Sequence, residues 1–382
     1  MSNDVFITRT ASFLPLEPVG NDGMEALLGM TGGRPSRARK ITLRNNGIRT
    51  RHYVIDPATG AGRYTNAQLT AEAVRRLAGD GFALDDIACL STGTSIADQM
   101  MPSHASMVHG ELGRHPCEVI ATTGVCVAGI AALKYAWLAV RAGEHPNAVA
   151  TGSEVASLVF RSTRYAAETD QQVDALAERP ELAFEKDFLR WMLSDGAGAL
   201  LLQNQQHPPG PNLRIDWMDL FSYANEMPVC MYAGARKNAD GTLTSWMQFT
   251  HEDLGRESIL AVRQDVKLLN ANAVAYCLEK PLARIAARRR LRPEEIDWFL
   301  PHMSSEYFRE PIRAGLEKIG LPVPPERWFT NLTTRGNTGS ASMFIMLDEL
   351  VRSGRLRRGE RLLCFVPESG RFTSAFLHLT VV

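Results

Sequence analysis

Six cysteines are spread along the 382 residues, and Cys126 stands where sulfur chemistry is most easily arranged. It lies in Ala121-Thr122-Thr123-Gly124-Val125-Cys126-Val127-Ala128-Gly129. Ahead is the apolar run 116–120; behind is 130–142, free of Gly and Pro and rich in Ala and Leu. The first pattern reads as a strand and the second as a buried helix. Cys126 then falls on a strand-to-helix turn, where unpaired N–H groups meet the positive end of the helix dipole. Such a place favours a thiolate and lowers a cysteine pKa from its free value of about 8.5. Gly124, Ala128 and Gly129 leave room for a substrate to approach the sulfur. The alternative is that Cys126 is one more small buried hydrophobe.

The elements that must hold this turn alternate between strand and helix. Strand patterns are expected at 4–13, 87–91, 148–152, 196–202, 212–220, 296–300, 361–366 and 373–381. Helical patterns fall at 66–79, after Pro102-Ser103, at 130–142, through 256–290 with a break at Pro281, up to Lys318, and at 342–352. Residues 43–51 read as a turn with a cationic rim, 161–190 as a charged lid or interface excursion, and 223–255 as mixed loop. His207-Pro208-Pro209-Gly210-Pro211 is a breaker cluster. It divides the chain into an expected half at 1–206 carrying Cys126 and a second at 207–382.

The halves echo each other. Cys126 lies 15 residues before Arg141, and Asn337 lies 15 before Arg352. Ile87 opens a buried strand 39 residues before Cys126, and Ile296 opens one 41 before Asn337. Strands alternating with helices imply parallel-rich sheets covered by helices. Two such halves stack with each long helix between two sheets, so Cys126 and the Gly336-Asn337 turn sit at equivalent helix ends and face one cavity.

Composition excludes several classes. Lys plus Arg and Asp plus Glu are 42 each, so no net charge pulls the chain toward nucleic acid or a membrane surface. No run reaches the roughly 18 apolar residues of a membrane span, and the N-terminal stretch lacks a signal-peptide core. The scattered cysteines contain no C-x-x-C pair, which argues for reduced thiols in the cytoplasm and against disulfides or a zinc site.

Gly47-Ile48-x-x-Arg51, Pro102-Ser103, the Cys126 segment, Gly152-Ser153-Glu154, Asp195-Gly196-Ala197-Gly198-Ala199, Pro301-His302 and Gly336-Asn337-Thr338 follow in order. As a set, the chain resembles the thiolase superfamily, and within it the β-ketoacyl-acyl-carrier-protein synthase III branch. The resemblance implies a five-layered αβαβα sandwich, no cofactor and no metal. It implies that Cys126 accepts the acyl group, a step suited to a thiolate because donor and product are both thioesters. His302 and Asn337 look like the other two active-site members, donating hydrogen bonds to the second substrate's thioester oxygen as it becomes an enolate. The N–H of Cys126 and the Ser369-Gly370 segment are expected at a second oxyanion hole, although Glu368-Ser369-Gly370-Arg371 departs from the family's Gly-rich loop. Glu154 is a candidate base or orienting residue.

Two further departures, Ile41 where coenzyme A-primed members often carry Trp and Met303-Ser304-Ser305-Glu306 after His302, point to carrier-protein-bound substrates. Residues 187–195 and 367–372 look like the branch making dialkylresorcinols and bacterial stilbenes. Those enzymes join a β-ketoacyl thioester to an unsaturated acyl group and close a cyclohexanedione ring. The expected function is therefore a cytoplasmic, homodimeric ketosynthase. Alternatives are an acyltransferase making an ester or amide, and a non-catalytic partner in a heterodimeric synthase. A Cys-His-Asn hydrolase fits the residue types but not the doubled layout. Two arginine clusters, Arg284/288/289/290/292 and Arg352/355/357/358/361, are candidate docking faces for an acidic carrier protein.

Overall fold

A computed structural model describes residues 4–30, 33, 35–36, 39–164, 189–207 and 210–382. Most of the expected 161–190 lid lies outside the described residues. The strands are β1 (Phe6–Phe13), β2 (Cys89–Thr94), β3 (Glu118–Thr123), β4 (Asn147–Glu154), β5 (Gly196–Gln203), β6 (Leu213–Ser222), β7 (Trp298–Pro301), β8 (Arg361–Glu368) and β9 (Thr373–Val381). The principal helices are α1 (Asn66–Arg75), α2 (His104–Leu112), α3 (Ala128–Ala142), α4 (Lys280–Arg289), α5 (Arg309–Lys318) and α6 (Ser342–Arg352).

All nine strands join in the order β7-β8-β9-β6-β1-β5-β4-β2-β3. The echo is visible in that order. From the middle outward, one side runs β1-β5-β4-β2-β3 and the other β6-β9-β8-β7. On both sides the second strand lies antiparallel to the third, and the third parallel to the fourth. The fifth strand of the C-terminal side shrinks to one parallel bridge, Phe299 to Trp328. In the sheet the sides join where Phe6 and Ile7 pair with Arg214 and Leu213.

Alternating strand residues feed three cores and so define five layers. Ala148 and Ala150 of β4, with Leu362, Cys364 and Val366 of β8, pack on Leu133 of α3 and Phe344 and Leu347 of α6. The opposite faces bury Val149 and Leu201 under α1 and α2, and Leu363 and Phe365 under α4 and α5. The repeated helices α3 and α6 thus form the middle layer, as expected. Each wholly buried Leu or Phe there contributes about 1.5–3 kcal/mol of transfer free energy. Gly129 lets the two helix starts touch: a Cβ there would stand 2.4 Å from Ser340 O.

Two local expectations are corrected. Residues Arg39–Asn46 form a helix, and Gly47 makes the turn at φ +68°. Arg51 is not on a rim but buried, donating to Asn21 Oδ1 and Trp191 O, and burial lowers its pKa to about 10. The helix expected through 256–290 does not break at Pro281. It starts at Val266 after a short strand, widens into a π turn at Ala275–Glu279 and continues as α4. Pro281 falls in the first turn of α4, and proline is tolerated there because its absent N–H is not needed.

Candidate active site

The turn before α3 presents Cys126 to a cavity of about 320 Å³, which His302, Asn337, Glu154, Glu368 and Ser369 also line. The three residues that the sequence reading singled out from positions up to 211 apart therefore share one chamber. Its remaining walls are mostly apolar, with Val159, Phe160, Leu189, Met192, Leu269 and Phe308 among them. No lysine or arginine among the described residues lines it.

Each polar member is fixed from a different element. His302 follows β7, its N–H bonded to Phe365 O at 2.8 Å. Its ring is buried, which lowers its pKa to about 4 and keeps the imidazole neutral, with one N–H to donate. Asn337 is pinned on both backbone groups: its N–H donates to Met192 O, and its C=O accepts from Ser194 N–H, each at 2.9 Å. Its Oδ1 accepts from Gly339 N–H at 2.9 Å, leaving the amide NH₂ without an acceptor among the described residues. Gly336 precedes it at φ +70°, and a Cβ there would stand 3.0 Å from both Arg51 Cγ and Ser194 Cβ.

Glu154 ends β4 as a buried carboxyl. Its Oε2 accepts from Ser95 Oγ at 2.6 Å, Ser340 Oγ at 3.1 Å and Ser340 N–H at 3.4 Å. Burial raises its pKa to about 7 against those three bonds. Ser95 and Ser340 were missed from the sequence. Serines carry no pattern of their own, and only Ser340, three residues past Asn337, lay near a motif.

Cys126 departs from expectation. Its thiol is pushed well above the ordinary range, not below it, first by burial, then by the charge of Glu368 and then by that of Glu154. The helix end is not vacant. Glu368 Oε2 accepts from Val125 N–H at 2.9 Å and Val127 N–H at 3.2 Å, the residues on either side of the nucleophile. A carboxylate from the other half of the chain thus spends the helix-end donors expected to favour a thiolate. The expected Ser369-Gly370 loop does reach this turn: a Cβ on Gly370 would stand 3.2 Å from Val125 Cγ2. However, Ser369 Oγ donates to Met231 Sδ, and Gly370 O accepts from Cys230 and Met231 N–H. What this segment brings to the Cys126 turn is an acceptor, Glu368.

Away from the cavity, Cys89, Glu118 and His145 bring ligand-type atoms within 4.8 Å of one another. Glu118 there accepts from Tyr135 and His145.

Residues 286–376 match the family described as 3-oxoacyl-[acyl-carrier-protein (ACP)] synthase III C terminal. The chain is 26% identical over 366 residues to a β-ketoacyl-[acyl-carrier-protein] synthase III of Xanthomonas campestris pv. campestris, covering 94% of this chain and 92% of the relative. Among solved structures, the tetronic acid condensing enzyme AbyA1 superposes with a TM-score of 0.76 at 20% identity, over 98% of this chain and 99% of that one. Cerulenin-bound OleA of Xanthomonas campestris superposes at 0.71 and 19% identity, over 99% of this chain and 96% of that one. The fold is that of the thiolase superfamily. Over nearly its whole length the chain is similar to β-ketoacyl-acyl-carrier-protein synthase III enzymes, and its C-terminal quarter matches their family model.

Proposed function

We propose that this ketosynthase loads an acyl group from a carrier-protein thioester onto Cys126 and condenses it with a β-ketoacyl thioester. In this reading the first acyl group is unsaturated and the product closes to a cyclohexanedione, as in dialkylresorcinol and bacterial stilbene formation. One observation carries the reading: Cys126, His302 and Asn337 line a single, mostly apolar cavity that no cation enters among the described residues. The apolar walls suit an acyl chain. The neutral His302 N–H and the unclaimed Asn337 amide suit the oxygen of a forming enolate, since donors pre-aimed at developing charge need no reorganisation. Glu154, with a pKa near neutrality, suits a proton transfer during ring closure. A homodimer is part of the proposal, supported by β3, an edge strand that among the described residues pairs only with β2.

The test is intact mass after incubation with a panel of acyl thioesters. Wild type gains the acyl mass and Cys126→Ala does not; label retained by the variant would assign the acyl group elsewhere. His302→Ala and Asn337→Ala should acylate yet lose condensation by about 10²–10³-fold. A new ester or amide in place of a carbon–carbon bond would convert the reading to simple acyl transfer.

A further inference from the structure

Glu368 both raises the Cys126 thiol and lines the cavity beside it. It is the last residue of β8, 242 residues from Cys126 in sequence. One oxygen, Oε2, is bound by the N–H groups flanking the nucleophile; Oε1 has no hydrogen-bond partner among the described residues, and the residue lines the cavity. Gly124 leaves the carboxylate its space, since a Cβ there would stand 3.3 Å from Oε2.

Joining a β-ketoacyl thioester to an acyl-enzyme without losing carbon dioxide requires a base for the donor's α C–H bond. The donor carbon must come within about 3–3.5 Å of the carbonyl carbon carried on Cys126 sulfur. A base for that carbon must therefore stand beside the Cys126 turn. Asn337 offers no basic group, and His302 is a weak base in its buried setting. Glu154 is tied to Ser95 and Ser340, on the α6 side of the cavity.

We propose that Glu368 is the general base that forms the donor enolate, and that it returns the proton to Cys126. The α C–H proton passes to the Glu368 carboxylate, and its electron pair becomes the enolate that His302 and Asn337 hold. The enolate carbon attacks the acyl carbonyl, the C–S bond breaks, and the departing Cys126 thiolate takes the proton from Glu368. One C–H and one acyl C–S bond are replaced by one C–C and one S–H bond, with no oxidant or reductant. Burial raises Glu368 above the usual carboxylate range, against the two N–H bonds, which strengthens it as a base. The elevated Cys126 thiol draws the proton back at the end.

The inference rests on the condensation proposed above, and the experiment separates the two. Wild type, Glu368→Gln and Glu368→Asp are first acylated from a small thioester and checked by intact mass. They are then mixed with the N-acetylcysteamine thioester of a β-ketoacid, and the condensed product is followed over one turnover. Glu368→Gln keeps an oxygen for the Val125 and Val127 N–H groups, so it should acylate. Its condensation should fall about 100-fold or more, the usual worth of a positioned base. Glu368→Asp should recover part of that loss. The wild-type condensation rate should rise with pH through one ionisation above the ordinary carboxylate range, a limb absent from Glu368→Gln. A Glu368→Gln enzyme that condenses within threefold of wild type, or keeps the limb, overturns the assignment. So does one that no longer acylates, because Glu368 would then only shape the turn. Wild type that takes no acyl group at all defeats the condensation reading itself, and this inference with it.

Discussion

Two carboxyls and a thiol share a chamber that no lysine or arginine among the described residues lines, and at the residue scale that decides their protonation. The helix dipole is a real contribution at Cys126, but it is worth well under the cost of burial once Glu368 has taken the flanking N–H groups. Glu154 offers a measurable consequence. Its folded-state pKa of about 7 exceeds its unfolded value near 4.5, so its contribution to stability is complete below pH 4.5 and is lost as pH rises to 7. Glutamine cannot ionise, so Glu154→Gln should gain on wild type across that window, by on the order of 3 kcal/mol at most. Thermal melts at pH 5 and pH 8 check this; an equal gap between the two proteins at both pH values would rule it out.

Among the elements, the contact between α3 and α6 matters most, because it brings the Cys126 turn to the Asn337 turn. It depends on backbone approach at Gly129, where the nearest atoms to an added Cβ are Ser340 O and Phe344 Cε2, at 2.4 and 2.8 Å. Gly129→Ala should therefore separate the two helix starts. Overpacking of this kind costs roughly 1–3 kcal/mol, and Ser340 should shift with its hydrogen bonds to Glu154. A lower melting temperature together with slower acylation of Cys126 is the expected result. A variant with wild-type melting and acylation would show that the contact is not needed. The same scale explains the helix misread at Pro281. Sequence pattern penalises proline inside a helix, but a wide turn just upstream lets the chain restart with proline in the first turn, a choice settled by packing on Leu278 and Leu282.

For the whole molecule, the proposed carrier-protein donor would need a basic face to dock on. Most of the arginines in the two clusters are engaged. Arg288 and Arg289 pair with Asp219, Arg352 with Asp348, and Arg361 with Glu295. Arg355 lies over the Trp298 ring at 4.5 Å. Arg284 and Arg358 are exposed and make no ion pair with described residues. If these faces steer an acidic carrier, Arg284→Glu with Arg358→Glu should raise KM for a carrier-bound donor severalfold, more at low salt, and leave a small thioester donor unaffected. Equal effects on both donors would place docking elsewhere.

Much of this was legible in the residues. The repeated order of strand, helix and turn was readable because periodicity and Gly/Pro punctuation act over a few residues, and the 15-residue spacings placed Cys126 and Asn337 at matching helix ends. Glu154 was reached from its motif, but its tie to Ser95 and Ser340 was not, since serines carry no pattern of their own. What the tertiary structure alone decided is the electrostatics of the nucleophile. Local sequence saw an unoccupied helix end and predicted a low cysteine pKa. Folding delivers Glu368 to that end from 242 residues away and partly desolvates both groups. Charge and desolvation depend on distance in space, which a reading along the chain does not measure.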